Sequence, residues 1–220
     1  MMALPSKQVS LEPWESALLL HCHRRRYPPK AAILRQGEPA DELFYIVKGS
    51  VTVLLENESG QDIVLAYLYA REIFGEIAMF TPEPNRSALV RARADCEVAH
   101  LGYDKLRGLP DLYPRVLERM TTQLANRLRN TNRRLGDLAF MDVYGRVARA
   151  LLELSQKPDA MTHPDGMQVR VTRQELARLV ACSREMVGKV LKEMEDHHQV
   201  QVFGRNIVVP SRPRAFLQRH

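Results

Sequence analysis

Two stretches of the 220-residue chain carry side chains spaced for chemistry. In the first, Phe74-Gly75-Glu76-Ile77-Ala78-Met79-Phe80 runs into a Pro-containing loop that ends at Arg86-Ser87. A glycine ahead of a short helical turn leaves backbone N–H groups for an anion. Arg86 supplies a planar fork matched to phosphate oxygens, and Ser87 adds a hydroxyl donor. Glu76 would repel a bare phosphate, but a carboxylate accepts well from a sugar hydroxyl. Together these residues suit a phosphate joined to a ribose. The same letters also fit a Glu–Arg ion pair across a surface loop, and composition alone favours that pair.

The second stretch begins at Thr172-Arg173-Gln174-Glu175, a capping box. Leu176, Ala177 and Val180 would face inward, Ala181-Cys182-Ser183 would turn the chain, and Ser183 would cap a second helix. In that helix Val187, Val190, Leu191 and Met194 form an apolar face, with Arg184, Glu185, Gly188, Lys189 and Lys192 on the other side. Helix, tight turn and helix, with donors at the start of the second, is the helix-turn-helix pattern. Helical hairpins without that role share it. Val200–Phe203 and Asn206–Val209 flank Gly204-Arg205 as a hairpin wing.

Other chemistry is poorly served. Cys22, Cys96 and Cys182 are far apart and form no CxxC pair, so a four-thiolate metal site is excluded by count. The pairs His21/His23 and His197/His198 are too local to suggest a metal cluster, and no enzyme is expected. The net charge of +6 favours a polyanionic partner, but residues 137–220 hold 13 Lys+Arg against 10 Asp+Glu, so the charge is diffuse. No apolar run approaches a bilayer span, and Met1–Pro13 has no signal-peptide core, so a cytoplasmic chain without a membrane partner is expected.

These groups need elements to hold them. Ala31–Leu34, Leu43–Lys48, Ser50–Leu55, Ile63–Tyr69, Ser87–Ala92 and Glu97–Leu101 read as short strands with glycines at the turns, which suggests a jelly roll or barrel. From about Tyr113 to Phe140 the pattern becomes helical. Leu117, Met120, Leu124, Leu128, Leu135 and Leu138 recur as a seam for another helix. Thr131 interrupts that seam with Asn132 beside it; a polar seam residue fixes register or receives something polar. Asp111 is placed to cap this helix, and Gly136 near its end marks close packing or a hinge. Asp142 would cap the next helix, and Pro158–Met167 reads as a polar loop.

The string FGEIAMFTPEPNRSALVRA resembles the phosphate-binding cassette of bacterial cyclic-AMP receptor proteins, also called catabolite activators. The resemblance spans about Glu15 to Val209 and includes the TRQE…CSRE…VG…LK string and the loop PDAMTHPDGM. It implies that Arg86 and Ser87 hold the cyclic phosphate of cAMP, that Glu76 with Gly75 takes the ribose hydroxyl, and that Arg127, Thr131 and Asn132 serve the adenine. It also implies DNA contacts. Arg184 would be bidentate to guanine, Glu185 would accept from a cytosine amine, and Lys189 would address a further guanine. Arg173, Gln174 and Ser183 would contact phosphates. Thr162, His163 and Gly166 would face RNA polymerase, and His23, Arg25 and Lys105 a second activating surface. Four letters depart from the family pattern: Ala78 and Ala181 for Gly, Asn132 for Ser or Thr, and Lys189 for Arg.

The expected architecture is α+β, in three parts. A β jelly-roll, cyclic-nucleotide-binding domain spans 1–112, a dimerisation helix 113–141, and a winged helix-turn-helix domain 142–220. The expected function is that of a homodimeric regulator that binds a palindromic operator in double-stranded DNA and contacts RNA polymerase. Three rivals stand beside it: the same fold under cyclic di-GMP or no ligand, an enzyme acting on cyclic nucleotides, and a repressor or DNA-structural protein.

Overall fold

The computed structural model describes residues 10–58, 60–82 and 84–210. The expectations for the first nine residues and for the Pro- and Arg-containing tail beyond 210 lie outside these. The described chain forms two compact units, one of residues 10–51 and 68–126, the other of 52–67 and 127–210.

The first unit opens on helix α1 (Pro13–His21), which the apolar pattern did not announce. Its start is set by a proline in the first turn and a Glu12–Glu15 capping box. Strands β1 (His23–Tyr27), β3 (Glu42–Lys48), β6 (Ile73–Phe74) and β8 (Cys96–Gly102) form an antiparallel sheet in the order β1-β8-β3-β6. Strands β2 (Ala32–Leu34), β4 (Ser50–Glu56), β5 (Asp62–Tyr69) and β7 (Leu89–Ala92) make a second sheet in the order β2-β7-β4-β5. These are the strands of the expected N-terminal β domain. Four exposed residues, His23 to Arg26, hide β1 from a hydrophobic reading; charge on an edge strand discourages further pairing. Helix α2 (Tyr103–Arg107) follows β8. Leu43, Tyr45, Ile73, Leu101 and Leu106 share a core with Val116 and Met120, which ties the start of helix α3 (Tyr113–Phe140) to the sheet. The Tyr113 N–H reaches the Leu109 carbonyl at 2.8 Å, so main chain satisfies that end of α3.

The second unit holds the rest of α3. Its seam is uncovered there: Leu128 is 62 %, Leu135 66 % and Leu138 47 % exposed. Gly136 is helical, with nothing within 4 Å of where a Cβ would stand, so close packing inside the chain is not its purpose. Helix α4 (Val143–Ser155) is capped as expected, the Asp142 carboxylate accepting from the Gly145 N–H. Arg149 pairs with Asp137, and Arg133 with Glu153 at 2.8 Å, across the junction of α3 and α4. Arg146 donates to the Met141 carbonyl at 3.1 Å.

The segment read as a loop from Pro158 is corrected. Met161–His163 and Gly166–Arg170 are strands β9 and β10 of a hairpin turning at Pro164-Asp165, which the polar letters concealed. Helices α5 (Arg173–Val180) and α6 (Arg184–Asp196) follow, then β11 (Gln201–Phe203) and β12 (Asn206–Pro210). The small sheet runs β11-β12-β10-β9. Val147, Leu151, Leu176, Val187, Leu191 and Met194 are fully buried on helices α4, α5 and α6.

One buried charge organises the first unit. Glu15 is 1 % exposed and accepts from the Tyr45 hydroxyl at 2.7 Å and from Arg71 at 2.8 and 2.5 Å. Arg71 sits at φ +73, a conformation that side chains rarely adopt and that this pairing helps to hold. Burial raises the Glu15 carboxyl, but the hydrogen bonds from Arg71, the Glu12 amide and Tyr45 outweigh it and leave it below the usual range. A depressed folded-state value gives stability that is present above the unfolded value and lost as pH falls through the folded one. Glu15→Gln should therefore cost about 2–3 kcal/mol at pH 7. Urea melts at pH 7 and below pH 4 should show the gap to wild type closing in acid; a gap independent of pH would contradict this account.

Candidate nucleotide site and nucleic-acid interface

Gly75 lies at φ +79, and a Cβ there would stand 2.8 Å from Phe44 Cδ2 and 3.0 Å from Arg86 Nη1. Only glycine satisfies both the turn and the approach. Glu76 follows, 3 % exposed, at the start of a 3-10 turn from Ile77 to Met79. Arg86 returns to this place because its main chain is pinned. Its N–H donates to the Glu38 carbonyl at 2.8 Å, and its carbonyl accepts from Gly37 at 2.8 Å.

Arg86 is buried, 6 % exposed as a residue, with its guanidinium carbon 5.1 Å from the centroid of the Phe44 ring. Nη1 donates to the Glu42 carbonyl at 2.9 Å, the Gly75 carbonyl at 3.1 Å and the Tyr103 hydroxyl at 3.1 Å. Tyr103 donates in turn to the Gly75 carbonyl. Burial raises the Tyr103 phenol, with Arg86 pulling the other way. Arg86 makes no ion pair among the described residues. A surface Glu–Arg pair is thus not what these letters encode, since both side chains are buried. What remains is a desolvated cation anchored through one nitrogen, with the Nε–Nη2 edge left for an acceptor. Ser87 is exposed beside it. Phe44 and Tyr103 were missed in the sequence, where nothing marks an aromatic in a strand or after one as a guanidinium support.

Arg127, Thr131 and Asn132 belong to the second unit, on α3. Arg127 is half-buried, whereas Thr131 and Asn132 are exposed.

In the helical hairpin the Thr172 hydroxyl accepts from the Glu175 N–H at 3.1 Å, and Glu175 accepts from the Thr172 N–H at 2.8 Å. Arg173 and Gln174 stand exposed in the first turn of α5. Ala181 takes the left-handed conformation, φ +52, at the turn between the two helices. Ser183 caps α6, accepting from the Met186 N–H at 3.1 Å. Val187, Val190, Leu191 and Met194 are buried; Arg184, Glu185 and Lys189 are exposed. The structure so brings the six candidate DNA contacts onto one capped helix pair.

Thr162 and His163 lie on β9, and Gly166 pairs with His163 across the turn. Thr162 is exposed, but Gly166 is buried against the β12 backbone, where a Cβ would meet Val209. His23 and Arg25 are exposed on β1, and Lys105 Nζ donates to the His21 carbonyl at 2.9 Å, which gathers these three. Burial pushes the Cys22 thiol up to about 11 and also raises Cys96 and Cys182. Among the described residues no group of three or more His, Cys, Asp or Glu could hold a metal, and no helix is long and apolar enough to cross a membrane.

Two family models match the chain: a cyclic nucleotide-binding domain over residues 24–111 and a Crp-like helix-turn-helix domain over 145–214. The chain is 52 % identical over 195 residues to the cAMP-activated global transcriptional regulator Vfr of Pseudomonas aeruginosa, covering 87 % of this chain and 91 % of that one. It is 49 % identical over 191 residues to the cAMP-activated global transcriptional regulator CRP of Salmonella typhimurium, with the same coverage of 87 % and 91 %. Among solved structures, the c-di-GMP-responsive global regulator CLP of Xanthomonas campestris superposes with a TM-score of 0.85 at 40 % identity, over 90 % of this chain and 99 % of that one. A cyclic nucleotide-binding domain followed by a DNA-binding helix-turn-helix places this chain in the CRP family of transcription regulators.

Proposed function

We propose that the protein is a cytoplasmic, cAMP-gated homodimer that binds a palindromic operator and contacts RNA polymerase. The observation that carries the ligand is the buried Arg86 guanidinium, which has no carboxylate partner among the described residues and is held ready by Phe44, Tyr103 and two carbonyls. A buried cation of this kind needs an anion. In this reading Arg86 and Ser87 take the cyclic phosphate, Glu76 with Gly75 takes the ribose hydroxyl, and Arg127, Thr131 and Asn132 serve the base. Curated relatives named as cAMP-activated support that choice. Cyclic di-GMP is the second reading, favoured by the c-di-GMP-responsive regulator of similar structure and by Asn132, which departs from the family.

The dimer rests on the exposed Leu128, Leu135 and Leu138, an apolar row that costs solvation unless a second helix covers it. Two-fold pairing presents two copies of α6 to a palindrome. Arg184, Glu185 and Lys189 would read bases, and Arg173, Gln174 and Ser183 would hold phosphates. The β9–β10 hairpin, with Thr162 and His163 shaped by Gly166, and the surface of His23, Arg25 and Lys105 would meet the polymerase. Ligand shifts the DNA-binding equilibrium only by its differential affinity for two states of the chain.

Four outcomes check this. Saturating cAMP should raise operator affinity, and Ser87→Ala should weaken nucleotide binding about fivefold, the worth of one hydrogen bond of about 1 kcal/mol, as read by calorimetry. A thermal shift with cyclic di-GMP and none with cAMP would transfer the site to the second reading. Leu135→Glu should turn dimer into monomer in sedimentation runs; an unchanged mass would leave the seam without its partner. Lys189→Arg should sharpen the preference for one guanine per half-site by about fivefold or more, since a bidentate fork adds about 1–3 kcal/mol of discrimination. A binding selection that shows equal preference in both proteins would remove Lys189 from the base readers.

A further inference from the structure

The outward face of α6 is polar with a single exception. Of its exposed residues, Arg184, Glu185, Lys189, Lys192, Glu195 and Asp196 are charged, and Met186 alone is apolar, at 41 % exposure. Met186 lies in the first turn, the part of a recognition helix that addresses base edges. Its N–H is fixed by the Ser183 hydroxyl at 3.1 Å, so its Cβ leaves the helix from a defined point. A thioether has no proton to give to a phosphate and is a poor acceptor. In the major groove the apolar group on offer is the C5-methyl of thymine.

We propose that Met186 is a specificity-determining residue that reads a thymine methyl within each half-site. The inference rests on α6 being the recognition helix, as argued above. The place of the thymine follows from helix geometry. Met186 and Lys189 are three residues apart, a rise of about 4.5 Å along the axis, against about 3.4 Å for one base step. The thymine therefore sits about one base pair from the guanine that Lys189 addresses. Met186 separates thymine from cytosine by contact with a methyl, where the charged neighbours separate bases by hydrogen bonds. The flexible thioether suits this task, because it can follow a methyl group whose position varies with local DNA shape.

Removing only the methyl tests the idea. The full chain with saturating cAMP is used to select binders from two random duplex libraries, one containing thymidine and the other deoxyuridine throughout. Wild type should prefer thymine at one position of each half-site, bind it about three- to fivefold more tightly than deoxyuridine there, as one buried methyl predicts, and lose that preference in the deoxyuridine library. Met186→Ala and Met186→Ser should lack the preference in both libraries, while keeping their guanine preferences and their melting temperature. A thymine preference that survives in deoxyuridine, or that is the same in wild type and Met186→Ala, overturns the proposal and leaves the DNA-binding reading intact. Failure of wild type to enrich any site overturns both.

Discussion

A largely buried arginine has to be compensated, and in the N-terminal domain that requirement falls on Arg86. Its Nη1 is shared among two backbone carbonyls and a phenol, and an aromatic ring lies beneath it. None of these neighbours carries a full negative charge. The Gly75 turn brings one carbonyl into reach, β3 supplies Phe44 and the Glu42 carbonyl, and the first residue of α2 supplies Tyr103. Three separate elements thus converge on one cation. The low dielectric that makes such a cation costly also strengthens its attraction for an anion.

The long helix divides its labour along its length. Val116 and Met120 are buried in the core with the sheet residues Leu43 and Tyr45. Beyond them the same apolar period continues into solvent through Leu128, Leu135 and Leu138. One face of one helix is therefore buried within the chain at one end and left to solvent at the other.

Much of this was legible beforehand. The strands, the helix, the Thr172–Glu175 and Asp142 caps and the inward face of α6 follow from period and capping chemistry, which are local. What stayed hidden depends on neighbours distant in sequence. β1 is nearly all charge, and it is a strand only because β8 offers Glu97 and a free edge. β9 looks like a loop until β10 and the β12 backbone close on Gly166. The cassette residues were nameable by resemblance, yet the burial of Glu76 and Arg86, which speaks against a surface ion pair, is a tertiary fact. So are the supports Phe44 and Tyr103.

The junction of α3 and α4 bears on how far a signal can travel. It is braced by Arg149 with Asp137 and Arg133 with Glu153, side chains that keep part of their surface in solvent. Bridges of that kind contribute about 0–1 kcal/mol each and weaken as ionic strength rises. These two pairs together therefore contribute up to about 2 kcal/mol to holding one helix against the other. The ion-pair part of this bracing therefore varies with the salt around it.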